Sequence, residues 1–148
     1  MHVLVTGATG YVGGRLIPRL LERGHQVRVL VRDARRIGGR PWANQVEVVT
    51  GDLLDAASVA RAVAGVDAAY YLVHSMGANH DFASVDRRAA ATFGRAARNL
   101  AHVIYLGGLL PTASHVSVHL RSRAEVGAIL HAYCNTTEFR AGPIIGSG

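Results

Sequence analysis

The 148-residue chain is long enough for one domain with a substantial core, and contents of 49% hydrophobic and 18% charged residues exclude a disordered protein. Arginine supplies every basic side chain behind the formal charge of +6, which suits an anionic ligand. A single cysteine, Cys134, excludes an internal disulfide, and no apolar run approaches the roughly 18 residues that a membrane-spanning helix requires. We therefore predict one cytoplasmic domain over residues 1–148 that is not embedded in a membrane.

In the first half of the chain, short β-branched segments alternate with stretches of helical period. The predicted elements are a strand over Val3–Thr6, a helix over Tyr11–Arg23 ended by Gly24, strands over Gln26–Val31 and Val46–Thr50, and a helix over Ala56–Ala64. Pro18 lies inside the first helix, where it removes a backbone donor and predicts a bend. Arg32–Asn44 is a long irregular connection, because Gly38, Gly39 and Pro41 argue against a continuous helix.

The second half continues the same alternation. The predicted elements are strands over Asp67–Val73 and His102–Leu106, helices over Phe82–Asn99 and Val116–Ala132, and a sixth strand within Glu138–Ile145. Strands that alternate with helices in this way favour an α/β fold, in which a doubly wound parallel sheet has helices on both faces.

A glycine-rich turn follows the first strand and opens the first helix. Gly7 allows the tight turn, Gly10 lets the backbone approach a pyrophosphate, and Gly13 lets the helix pack close to the strand. Uncovered N–H groups at the start of the helix then face the anion, which the helix dipole also favours. The turn predicts a dinucleotide site in a Rossmann-type sheet with strand order 3-2-1-4-5-6. A turn that binds nothing is the structural alternative.

Four further segments extend the pattern beyond the turn Thr6–Gly13. They are Val49–Leu53, Tyr71–Met76, Ser122–Gly127 and Phe139–Gly146. Together these segments resemble the atypical short-chain dehydrogenases/reductases, in particular the NmrA-like/NAD(P)H-binding subgroup, over essentially the whole chain. The resemblance implies a set of cofactor contacts: Gly7, Thr9, Gly10, Tyr11, Val12, Gly13, Asp52 at the adenine, Leu53, Leu72, Val73 and His74.

In this family, the residues that end the second strand select the cofactor. Arg32 and Arg36 stand there, and a guanidinium suits the 2′-phosphate of NADP(H) because its planar fork bonds phosphate oxygens in pairs. We therefore predict NADP as the cofactor, with NAD as the alternative. The alternative rests on Asp33, which can accept the ribose 2′-hydroxyl of NAD or pair with Arg36 instead.

The resemblance also implies a catalytic Tyr, a Lys four residues later, and a Ser after the fifth strand. His119 and Arg123 stand at the Tyr and Lys positions, and Gly107 and Gly108 follow the fifth strand in place of the Ser. We predict His119 and Arg123 as catalytic residues, because imidazole moves protons near neutral pH and the i, i+4 spacing places both on one helical face. His74, at a strand end where such sheets bind ligands, is a second candidate. For each histidine, a role in packing or at the surface is the alternative.

The sequence thus predicts an NAD(P)(H)-dependent oxidoreductase that acts on a small carbonyl, quinone-like or isoprenoid-like compound. The missing Tyr, Lys and Ser favour a second hypothesis, a non-catalytic NADP(H) sensor or regulatory module. Only the charge suggests nucleic acid, and without a binding motif we predict no such partner. His115 and His119 have the spacing of a metal-binding pair, but no third ligand accompanies them and we predict no metal site.

Members of the family carry a C-terminal portion that closes over the cofactor and shapes the substrate pocket. This chain stops at Gly148, directly after the segment that resembles the sixth strand. We expect either a fragment, a naturally short form, or a lid supplied by a homo-oligomer or another partner.

Overall fold

The protein is described by a computed structural model that covers residues 1–74, 81–109 and 116–146. In these residues the chain forms strands β1 (His2–Thr6), β2 (Gln26–Val31), β3 (Glu47–Thr50), β4 (Ala68–Tyr71), β5 (His102–Gly108) and β6 (Thr136–Ala141). The helices are α1 (Tyr11–Glu22), α2 (Ala56–Val63), α3 (Phe82–Ala97) and α4 (Val118–Tyr133). Two short 3₁₀ turns, Ala34–Ile37 and Ala43–Gln45, lie in the connection from β2 to β3 that was predicted to be irregular.

All six strands are parallel and follow the order β3-β2-β1-β4-β5-β6, which confirms the predicted doubly wound sheet. β4 ends at Tyr71, where its pairing with both β1 and β5 stops, rather than at the predicted Val73. β5 extends to Gly108, since β6 continues beside it to that point. The carboxyl ends of the strands therefore form one edge, where ligands bind in open α/β sheets.

Local signals set the ends of the first helices. α1 runs through Pro18 as one continuous helix and ends just before Gly24, whose φ of +76° suits a residue without a side chain. α2 begins after Asp55, whose carboxylate accepts the backbone N–H groups of Ala57 and Ser58. The hydrogen bonds from Ser58 are the main reason why the pKa of Asp55 is lowered.

Two apolar clusters cover the two faces of the sheet. One packs α2, α3 and α4 against the strands, and its largest fully buried side chains are Tyr71, Phe93, Leu4, Leu130, Val59 and Val103. The other packs α1 and the 3₁₀ turns, and it includes Val5, Ile17, Val29, Ile37 and Trp42. Both clusters exclude water from apolar surface, which is the main source of stability in such a fold.

The sheet face of β5 and β6 turned away from α4 is less covered than the rest. Val103 and Tyr105 lie in the cluster under α4, so the alternate residues Ile104 and Leu106 point to the opposite face. Neither of these two belongs to a core cluster of the described residues, and Phe139 on β6 is 60% exposed. This face carries apolar side chains that water still reaches.

Helices α3 and α4 pack closely around the single cysteine. The Cys134 thiol, 8% exposed, donates to the carbonyl oxygen of Gly94 at 3.4 Å. A Cβ on Gly94 would lie 2.9 Å from the Tyr133 ring, so the glycine is what lets the two helices approach. Burial raises the pKa of the Cys134 thiol. None of the helices among the described residues combines the length and the apolar character needed to cross a membrane.

Candidate functional site

The turn between β1 and α1 has a backbone that only glycine fits at two positions. Gly7 has a φ of +78°, and a Cβ there would lie 2.8 Å from the carbonyl oxygen of Leu72. A Cβ on Gly13 would overlap the carbonyl oxygen of Gly7 and lie 3.0 Å from Cα of Ala8. Both glycines are therefore required for β1, α1 and β4 to meet as they do.

Gly10 stands apart from the other two glycines of the turn. A Cβ on Gly10 would meet only the carbonyl oxygen of Gly7, at 3.3 Å, and would otherwise point into open space. Its N–H donates to that same oxygen at 3.0 Å, so the turn is closed. A side chain at Gly10 requires the Gly7 carbonyl to give by a few tenths of an ångström and meets no other atom within 4 Å. A bare backbone there is useful for a group that approaches from outside, as a pyrophosphate would.

The first turn of α1 offers uncovered donors beside Gly10. Gly10 is the N-cap and makes no side-chain hydrogen bond to the helix. Within the described ranges, no acceptor bonds the N–H groups of Tyr11, Val12 and Gly13. Helix dipole and free N–H groups together favour an anion at this point. The residues present thus fit the diphosphate of a dinucleotide.

Two contacts frame this turn, and sequence reasoning missed both. Nη2 of Arg40 donates to the carbonyl oxygen of Thr9 at 3.4 Å, which brings the β2–β3 connection over the turn. The ring of Tyr11 lies under the guanidinium of Arg15 at 4.6 Å, and its hydroxyl lies against Gly146, where a Cβ would overlap it. No residue spacing announces the contacts of Arg40 with Thr9 and of Tyr11 with Gly146, because they join segments that are distant in sequence. Tyr11 and Arg15, by contrast, are four positions apart on α1.

At the end of β2, the structure corrects one of the two roles left open for Asp33. Its carboxylate accepts the N–H and the Nε of Arg35, both at 3.0 Å, and thereby caps the first 3₁₀ turn. These bonds are the main reason why the pKa of Asp33 is lowered. Asp33 therefore pairs with Arg35 rather than with Arg36. Arg32 and Arg36 are exposed, and neither is in an ion pair of the described residues.

At the end of β3, the two residues predicted at the adenine differ in what they offer. Asp52 uses Oδ1 to accept the N–H of Leu54 at 2.9 Å, which holds its carboxylate at the edge of the sheet. Leu53 is 8% exposed, and its side chain lies in the core cluster under α2. Its side chain is thus committed to packing, which leaves only its backbone for a ligand.

The segment after β4 passes along the carboxyl edge. The Thr6 hydroxyl donates to the carbonyl oxygen of Tyr70 at 3.2 Å and accepts the N–H of Leu72 at 3.3 Å, which fixes this segment to β1. Leu72 packs with the cluster around α1, and Val73 packs with the cluster around α4. His74 follows at the edge itself.

His74 and Arg123 meet although 49 positions separate them. Nη2 of Arg123 lies 3.2 Å from Nδ1 and 3.3 Å from Nε2 of the imidazole, so it faces both ring nitrogens at once. Partial burial lowers the pKa of His74, and the charge of Arg123 lowers it further. At neutral pH, His74 is therefore uncharged.

His119 lies one helical turn from Arg123 on α4, as their spacing predicts. Its ring stacks on Phe82, the first residue of α3, with a centroid distance of 4.4 Å and an interplanar angle of 13°. His119 also acts electrostatically on His74. The structure thus brings His74, His119 and Arg123 into one neighbourhood, which we call the basic cluster.

The space that a serine after β5 would need is filled. A Cβ on Gly107 would overlap the carboxylate of Glu138, and a Cβ on Gly108 would lie 2.7 Å from the Leu120 side chain. A serine at either position therefore requires the end of the Glu138 or Leu120 side chain to move. His115, one half of the spacing that resembles a metal pair, lies outside the described residues; within them, no group of three or more metal-binding side chains occurs.

Comparisons with known proteins agree with this architecture. The profile of a family described as NAD(P)H-binding matches residues 7–132. The chain belongs to this family. The match confirms the resemblance predicted from the sequence, and NAD(P)H is accordingly the cofactor of the turn. The matched residues include Gly7, Gly10 and Gly13 and nearly all of α4.

Individual relatives resemble the chain over part of their length. Divinyl chlorophyllide a 8-vinyl-reductase of Zea mays is 37% identical over 72% of this chain and 30% of its own. The 3-beta-hydroxysteroid dehydrogenase of Mycolicibacterium neoaurum is 41% identical over 47% of this chain and 18% of its own. The crystal structure of Citrobacter sp. triphenylmethane reductase complexed with NADP(H) has a TM-score of 0.75 at 26% identity, over 93% of this chain and 48% of that one. The chain thus spans less than a third of these two curated relatives and about half of the solved structure.

Proposed function

We propose that this chain binds NADP(H) in preference to NAD(H) and forms the cofactor-binding part of an oxidoreductase that acts on a small carbonyl or quinone-like compound. The observation that carries the proposal is the turn before α1. Gly10 leaves the backbone bare where the fold does not need it, and three N–H groups beside it have no partner among the described residues.

The preference for NADP(H) rests on the end of β2. Asp33, the residue that would accept the ribose 2′-hydroxyl of NAD, is engaged by Arg35. Arg32 and Arg36 remain exposed with their guanidinium groups available to a 2′-phosphate. A related reductase of similar fold was crystallised with NADP(H).

We assign the chemistry to the basic cluster, which lies at the other end of the carboxyl edge from the glycine turn. The bound cofactor supplies or accepts the hydride. His119, at the position of the family's Tyr, is proposed to exchange a proton with the substrate oxygen through a ring nitrogen, and its stack on Phe82 fixes the plane of that ring. Arg123 is proposed to hold charge near the same oxygen, and His74 lines the site.

Titration of the purified chain with NADPH and with NADH, followed by protein fluorescence, tests the proposal. Trp42 lies in the cluster beneath the β2–β3 connection and provides a signal. We expect saturable binding with NADPH bound about tenfold more tightly than NADH, the effect of one charge-assisted contact. Absence of binding at millimolar concentrations of both nucleotides would refute the proposal.

A non-catalytic NADP(H) sensor is the second candidate. It is favoured by the two glycines after β5, where the ends of the Leu120 and Glu138 side chains occupy the place of the family's serine. A sensor binds NADPH but does not oxidise it with any member of a panel of aldehydes, ketones and quinones. Oxidation that disappears in His119→Gln, with NADPH affinity unchanged, decides for the enzyme.

We also retain the predictions made from the sequence about the location and the partners of the protein. They are a cytoplasmic location, no nucleic-acid partner, and a homo-oligomer or partner that completes the substrate pocket. The last is supported by the exposed Phe139 and its neighbours Ile104 and Leu106 on the less covered sheet face. A band-shift assay at low salt tests the prediction of no nucleic-acid partner. Light scattering across a concentration series tests the prediction of a homo-oligomer.

A further inference from the structure

Within the described part of the chain, Arg123 has no carboxylate partner, unlike several other arginines. Ion pairs with Asp or Glu are formed by Arg19, Arg28, Arg35, Arg87 and Arg140. None of the ion pairs in the described residues includes Arg123, and the segments outside them contain no acidic side chain. A half-buried guanidinium loses hydration, and an anion is what offsets that loss.

Three contacts, two from β5 and one from the segment after β4, hold Arg123 at the carboxyl edge of the sheet. The Tyr105 hydroxyl of β5 donates to the carbonyl oxygen of Arg123 at 2.9 Å and so fixes this turn of α4. Gly108 gives room to the side chain, since a Cβ there would lie 3.3 Å from Cδ of Arg123. His74 contacts the far end from the segment after β4. The position of the charge is thus defined by packing from three sides.

One acidic group lies near the basic cluster without neutralising it. Asp86 on α3 is 6% exposed and accepts a hydrogen bond from Ser122 at 3.3 Å. Its charge acts on His74 in the opposite sense to Arg123, and the effect of Arg123 is the larger. The field of the charged neighbours at His74 is therefore positive on balance.

The phosphates of the dinucleotide do not account for this cation. The diphosphate belongs at the end of β1 and the 2′-phosphate at the end of β2, whereas Arg123 lies beside β5. In the order β2-β1-β4-β5, two and three strand spacings correspond to about 10 and 14 Å. An anion at Arg123 is therefore a different group from the phosphates of the dinucleotide.

We propose that Arg123, together with His74 and His119, binds an oxyanion of the substrate, so that the carbonyl or quinone-like compound carries a carboxylate or phosphate group. This inference rests on the proposed function, since it concerns the substrate end of the same site. The planar fork of arginine bonds either anion in pairs, His119 adds a donor beside it, and His74 holds the guanidinium in place.

Binding of small probes to the full chain saturated with NADP⁺ tests the inference. The probes are benzoate, phenyl phosphate and the neutral benzamide, followed through the imidazole Hε1 resonances of His74 and His119. We expect at least one of the two anions to bind about tenfold or more tightly than benzamide, as charge-assisted hydrogen bonds imply. Which anion binds better separates a carboxylate substrate from a phosphate substrate.

Two variants and a control complete the design. In Arg123→Gln the anion preference should fall below about threefold, and Arg123→Lys should keep part of it. The fold is spared, because Tyr105 bonds the backbone of residue 123 and not its side chain. Arg95→Gln is the matched control, since Arg95 lies over the Tyr133 ring at 5.9 Å, away from the site.

Each outcome has a distinct meaning. Equal binding of benzamide and both anions to the wild type, with NADP⁺ bound, overturns this inference and leaves the proposed function standing. A loss of NADP⁺ affinity in Arg123→Gln as large as the loss of anion affinity also overturns it, because Arg123 then serves the cofactor. Failure of the wild type to bind NADP⁺ at all sinks both proposals.

Discussion

The candidate site lies along the carboxyl edge of the sheet, and its two ends are built by different means. At the diphosphate end the main chain forms the site, and the bare positions Gly7 and Gly13 are required by packing. At the proposed substrate end the candidate groups are side chains, those of His74, His119 and Arg123, which come from two separate segments. Cofactor binding is therefore tied to the fold, whereas the chemistry at the other end can change without loss of the fold. This difference explains how the turn keeps the family pattern while the Tyr, Lys and Ser positions do not.

The largest effect should come from the tightest part of the turn. Gly13→Ala places a Cβ against the Gly7 carbonyl and should lower the free energy of unfolding by about 2–3 kcal/mol, the range for forced overpacking. The matched control is Gly10→Ala, which should lower it by less than about 1 kcal/mol because its Cβ points to open space. Urea denaturation measures both. Equal stability of the two variants would abolish the distinction between the glycines.

The second effect separates ligand binding from folding at the same turn. Gly10→Val should fold with near-native thermal stability and lose at least about tenfold in affinity for NADPH, since its side chain occupies the approach of the diphosphate. Circular dichroism and fluorescence titration give the two readouts. If affinity survives undiminished in a folded Gly10→Val protein, the main chain is not the diphosphate site.

A third prediction concerns Arg32 and Arg36 at the end of β2, the side chains proposed to select NADPH over NADH. Replacing Arg32 and Arg36 together by Gln should weaken NADPH about tenfold and leave NADH within about twofold, because only NADPH carries the 2′-phosphate. Arg35→Gln is the control, as its guanidinium is already held by Asp33. A parallel loss for NADPH and NADH in the double variant would contradict the assignment.

The smallest effect is a titration at the substrate end. Burial first, and Arg123 second, should place the pKa of His74 below the ordinary 6.5 in an NMR titration. Arg123→Gln should raise that pKa only partway, because burial is the larger cause. The folded protein then binds fewer protons than the unfolded chain, so the contribution of His74 to stability is present above pH 6.5 and is lost as the pH falls below it. A His74 pKa above 6.5 would contradict both the burial and the contact with Arg123.

The sequence was informative where structure is local and limited where it is not. The glycine turn, the strand order and the i, i+4 relation of His119 and Arg123 follow from spacing along one segment. Asp33 contacts Arg35 and not Arg36, the partner considered from the sequence, because the 3₁₀ turn after β2 brings Arg35 to the carboxylate. The contact of Arg123 with His74 joins distant segments, and no pattern in either segment predicts it.

The buried thiol of Cys134, between α3 and α4, can report the separation of these two helices. A thiol reagent can reach Cys134 only after the two helices part, and no other thiol in the chain competes. When reclosure outruns modification, the labelling rate gives the equilibrium cost of that opening directly. A lower labelling rate in the presence of dinucleotide would show that binding at the carboxyl edge of the sheet also stabilises the packing of α3 against α4. The measurement requires no engineered label.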